Sequence, residues 1–98
     1  MPLFELEFLA EAKAQLEKLA EDRGRTKRLK AVRKALGYLQ LDPRHPGLHT
    51  HKYQNLKGPA GEEVFGAYAE NKTPAAFRIL WCYGPKQKIT IISIIPHP

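Results

Sequence analysis

A chain of 98 residues with 43% hydrophobic and 27% charged residues is sized for one domain, residues 1–98, with one modest core and the composition of an ordinary soluble protein. No apolar run approaches the roughly 20 residues of a membrane span, and glutamates come too soon after the first apolar residues for a secretory signal. A cytoplasmic location with no membrane partner is therefore expected, and the single Cys82 rules out an internal disulfide or a multi-cysteine zinc site.

The net charge of +6 is unevenly spread: residues 1–22 carry six acids against Lys13 and Lys18, and residues 23–98 carry fourteen basic groups against four acids. A basic surface of this size attracts polyanions, with nucleic acid the first class to consider and an acidic protein the second. Residues 2–8 alternate in polarity and suit an edge strand. Leu9, Ala12, Leu16 and Leu19 then recur at three, four and three, predicting an amphipathic helix over residues 9–22. Gly24 is its expected stop, and Thr26 is the expected cap of a second helix. The same spacing at Leu29, Val32, Leu36 and Leu39 predicts that helix over residues 27–41 and thus a helix hairpin. Lys27, Lys30 and Lys34 share a stripe away from these leucines, continued by Tyr38. Such a row is either a solvated face or a face toward nucleic acid.

The connector DPRHPG ends the second helix, and the period changes to two. Four runs come next, LHTHKYQNL, EVFGAYAE, AAFRILWCY and KITIISII, joined by short loops with Gly, Pro or Asn that suit antiparallel hairpins. The fold class is α+β, with a small antiparallel sheet of three to four strands packed on an N-terminal helix hairpin. In FRILWCY, the bulky Phe77, Ile79, Trp81 and Tyr83 suit the side under the helices. Arg78, with Leu80 and Cys82, then points to the uncovered face. A guanidinium there needs a carboxylate, a carbonyl, solvent or a ligand anion; Glu70 and Glu63 are the candidate structural partners. Cys82 reads as a small buried hydrophobe and Trp81 as core.

The order of elements, the segment LDPRHPGLHTHKYQNLKG, the strand FRILWCYG and the terminal ITIISIIPHP resemble the RelE/ParE superfamily of toxins from bacterial type II toxin-antitoxin systems. The resemblance implies a cognate antitoxin as partner and, in the RelE branch, ribosome-dependent cleavage of messenger RNA by attack of the 2′-hydroxyl on the adjacent phosphate. It implies that Arg78 and Lys52 bind the scissile phosphate, that His97 is the general acid or base, and that Lys57 and Tyr53 support the RNA. His49 and His51 add two titratable groups on one strand face. RNA-binding candidates are thus Lys57, Tyr53, His49, His51, Lys27, Lys30 and Lys34. No cofactor is expected, and no metal, because His49 and His51 lack further ligands nearby. Tyr68 stands where many relatives carry a second arginine, and the chain lacks the polar extension many of them carry past the last strand. These departures leave open a ParE-like inhibitor of DNA gyrase or a catalytically inactive relative that binds RNA or protein.

Overall fold

Both helices form where the leucine spacing places them. In the computed structural model, which describes residues 3–73 and 75–96, strand β1 (Glu5–Phe8) precedes α1 (Ala10–Glu21) and α2 (Thr26–Leu41). After a short 3-10 turn, Pro46–Leu48, come β2 (His51–Lys57), β3 (Glu63–Tyr68), β4 (Phe77–Gly84) and β5 (Lys88–Pro96). Glu11 in the first turn of α1 and Lys18 in its last turn complement the helix dipole. The link between the helices differs from expectation. Asp22 ends α1 and its carboxylate accepts the Gly24 N–H at 2.9 Å, opening a 3-10 turn over Arg23–Arg25. Gly24 is not left-handed, and Thr26 is the first residue of α2, its hydroxyl donating back to the Arg23 carbonyl at 3.0 Å.

The sheet has five strands in the order β1-β5-β4-β3-β2, with β1 parallel to β5 and the other pairs antiparallel. The expectation of three to four antiparallel strands is corrected in both count and direction. The physical reason lies in β1, where Leu6 and Phe8 register with Ile89 and Ile91 and extend the apolar floor beneath the helices. On the opposite side of β1, Glu7 accepts a hydrogen bond from Lys88 Nζ at 2.9 Å. This contact raises the Lys88 pKa above its ordinary value.

The core lies between the hairpin and one sheet face. Ala12, Leu19, Val32, Leu36 and Leu39 meet Ala67, Phe77, Ile79, Trp81, Ile89, Ile91 and Ile94, each large side chain contributing about 1.5–3 kcal/mol by leaving water. Ile91 and Ile94 share that face because of a bulge: Leu80 registers with Ser93 but Trp81 with Ile91, which leaves Ile92 as the extra residue. Tyr83 departs from its expected burial and is 38% exposed. No helix among the described residues is long and apolar enough to cross a membrane.

Candidate nucleic-acid interface

The face away from the helices is built in rows across the sheet. Tyr68 registers with Arg78 and Arg78 with Ile95; His51 registers with Gly66, Gly66 with Leu80 and Leu80 with Ser93. The Arg78 guanidinium lies 3.6 Å from the centre of the Tyr68 ring, close enough for a cation–π interaction. The same tyrosine ring meets the His49 ring at 4.9 Å and the His51 ring edge-on at 6.1 Å. His51 in turn lies 4.9 Å from Tyr53. One continuous row of cation, phenol and imidazole results.

Local chain geometry explains the row. Asp42 and His45 each accept a backbone N–H two residues on, and Pro46 opens the 3-10 turn, so the DPRHPG connector is as rigid as its prolines imply. His49 closes the turn with φ of 46°, a left-handed conformation that costs a non-glycine residue about 1–2 kcal/mol. His51 Nδ1 lies 3.3 Å from the His49 carbonyl; a carbonyl only accepts, so Nδ1 is the donor wherever this contact is a hydrogen bond. Gly66 makes room for the rings, since a Cβ there would stand 2.5 Å from the Tyr53 ring and 3.2 Å from that of His51.

Arg78 is on the face that alternation assigns, but it is only 8% exposed. Of the partners open to a guanidinium on that face, carbonyls are the ones found, and Tyr68 covers the group. Its Nη1 donates to the carbonyls of Glu70 at 2.8 Å and Phe77 at 3.3 Å, while Nε is buried with no hydrogen-bond partner among the described residues. Neither candidate carboxylate pairs with it. Glu70 instead accepts from Arg28 Nε at 2.7 Å and from the Phe77 N–H at 3.1 Å; Glu63 accepts from Lys52 Nζ at 2.9 Å. Among the described residues the Arg78 charge is therefore met by carbonyl dipoles and a ring face.

The other sequence candidates divide. Lys52 registers with Phe65, which packs toward the helix side, so the sheet separates Lys52 from Arg78 and the pair expected at one phosphate is not assembled. The hydrogen bond and charge of Lys52 hold the Glu63 carboxyl below the usual carboxylate range. Lys57 is exposed at the far end of β2, past a register irregularity. Lys27 and Lys30 are exposed on α2. Lys34 lies over the Tyr38 ring at 5.7 Å and lines, with Tyr38 and Tyr68, a hollow of about 210 Å³, which connects the helix stripe to the sheet cluster. His45 stacks on Tyr38 at 3.9 Å. His97 lies outside the described residues.

Cys82 is fully buried, and desolvation, then the Glu62 carboxylate, push its thiol pKa up, which disfavours a reactive thiolate. Among the described residues no group of three or more His, Cys, Asp or Glu is placed to hold a metal. Sequence reasoning missed Tyr68 and Gly66 as parts of the cluster. A glycine inside a strand signals close approach by a neighbour, and Tyr68 is the aromatic that hairpin register brings beside Arg78.

Comparison with protein-family models, with curated proteins and with solved structures finds no match to this chain.

Proposed function

We propose that this chain is a RelE/ParE-like toxin of a type II toxin-antitoxin system that binds and cleaves messenger RNA on the ribosome, using the sheet face away from the helices. The strand–helix–helix–sheet order supports the RelE-like assignment. The observation that carries the reading is the cluster itself: a cation without a carboxylate partner among the described residues, against a tyrosine that also meets two imidazoles. Tyr53 and Tyr68 offer ring faces to bases, and the basic surface attracts phosphates.

His49 and His51 carry imidazoles, whose ring nitrogens can take up or give a proton, and so suit general acid–base work. As the 2′-oxygen bonds to phosphorus, its proton passes to one imidazole, and the bond to the 5′-oxygen breaks as the other imidazole protonates that oxygen. The partner in the resting state is an antitoxin with an acidic or amphipathic segment. The test is induction in cells with mapping of new RNA 5′ ends. Cuts at translated codons that vanish in Tyr68→Ala and His51→Ala support the reading; growth arrest with intact transcripts rules out cleavage.

A second reading, binding without cleavage as in a gyrase inhibitor or an inactive relative, is favoured by the burial of Arg78 and the use of its Nη1 on carbonyls. It predicts DNA-damage signalling, or no arrest at all, with no new RNA ends.

A further inference from the structure

Across β2 from the Arg78 cluster, the connector after α2 and a corner of the sheet enclose a cleft of about 480 Å³. Phe65, Trp81 and Tyr83 line it, with Arg44, His51 and Lys52 among its polar residues. The aromatic side is ordered. Phe65 and Trp81 are stacked at 5.0 Å, and Tyr83 stands edge-on to them at 5.8 and 4.9 Å. Phe65 is half-buried and Tyr83 exposed, so ring surface is left facing solvent where the hairpin does not reach. Arg44 is exposed and makes no ion pair among the described residues, while Lys52 shares its charge with Glu63.

We propose that this cleft is a second nucleotide subsite, taking a planar base against Tyr83 and Phe65 and the attached phosphate against Arg44 and Lys52. A bare anion leaves the rings unused, and a cationic ring is repelled by Arg44; a flat anion matches both halves. His49 and His51 line the cleft and also touch Tyr68, so the two sites meet over the β2 edge, and one strand laid across that edge occupies both. The identity of the nucleotide's source, single-stranded RNA, rests on the function proposed above; the chemistry of the cleft does not.

Trp81 is the only tryptophan, and its indole N–H is buried without a hydrogen-bond partner among the described residues, so its single NMR cross-peak reports on the cleft. The experiment titrates the full chain with adenosine monophosphate, adenosine, inorganic phosphate and tetra-adenylate. A saturable Trp81 shift with the monophosphate is expected, weaker with adenosine or phosphate alone. In Tyr83→Ala and Arg44→Ala the affinity should fall by about five- to 150-fold while the spectrum stays dispersed. Tighter binding of tetra-adenylate identifies an RNA strand as the source, and equal binding identifies a free nucleotide. An indole peak unmoved at millimolar monophosphate overturns the subsite even if RNA shifts Tyr68. Phosphate acting as well as the nucleotide, or affinity unchanged in Tyr83→Ala, also overturns it. A Trp81 response to monophosphate with no effect of RNA on Tyr68 leaves the subsite standing and removes the RNA reading instead.

Discussion

The two faces of the sheet are made by alternate residues of the same strands, yet they obey different rules. Under the helices, Phe77, Ile79 and Trp81 are buried among isoleucines and leucines, and each contact there is of the kind that any well-packed core supplies. One residue along, Arg78 is nearly as buried but carries a charge with no carboxylate beside it among the described residues, under a ring that also meets two histidines. Burial alone therefore does not mark a structural residue. A stable core has no need of a cation in that position, and replacing buried charges with apolar groups of similar volume is often neutral or stabilising.

The comparison breaks or sharpens in three experiments. Ile79→Ala should cost about 2–5 kcal/mol in urea denaturation while the folded variant binds RNA as before; lost affinity at a temperature where it is fully folded would merge the two faces. Arg78→Ala comes next, at about 2–3 kcal/mol, from a lost charged hydrogen bond and a small cavity. Arg78→Met fills the space without the charge and should stay within about 1 kcal/mol of the parent, yet both variants should lose RNA affinity and its salt dependence. A Met variant as unstable as the Ala variant, with RNA binding intact, would make Arg78 an ordinary structural residue. The smallest effect is at the sheet edge. Because the folded Glu63 carboxyl is shifted down by Lys52, its contribution is present above the ordinary glutamate pKa and is lost as pH falls through the lowered folded value. Thermal melts of Glu63→Gln from neutral to acid pH should lack that acid-side loss, with little difference at neutral pH for so exposed a pair.

Much of this arrangement is written in the spacing of residues. The repeated leucine interval identifies both helices, and alternation assigns Trp81 to the core and Arg78 to the opposite face. It does not show how deep Arg78 lies, because the group that covers it belongs to β3 and arrives only through hairpin register. In KITIISII, four isoleucines within five residues erase the alternation, so no pattern announces that Ile92 is the bulged residue. Lys52 illustrates a different gap. It alternates with His51 and Tyr53, and the period of two already places it on the other side of β2 from them; grouping basic residues by chemical type hides what parity makes plain. The parallel β1–β5 pair depends on residues more than 80 positions apart, beyond the reach of any local signal.

That pairing also orders events in time. β5 is the last described element to leave the ribosome, yet it lies inside the sheet between β1 and β4. Until its nine residues are translated, β1 has no neighbour to bond and α1 lacks Ile91 and Ile94 beneath it. The nascent chain must carry its helix hairpin with an uncovered leucine stripe through most of its synthesis, and the sheet closes in one late step. A chain stalled before residue 88 would leave α1 without Ile91 and Ile94 beneath its leucines, which makes it a ready substrate for chaperones and proteases.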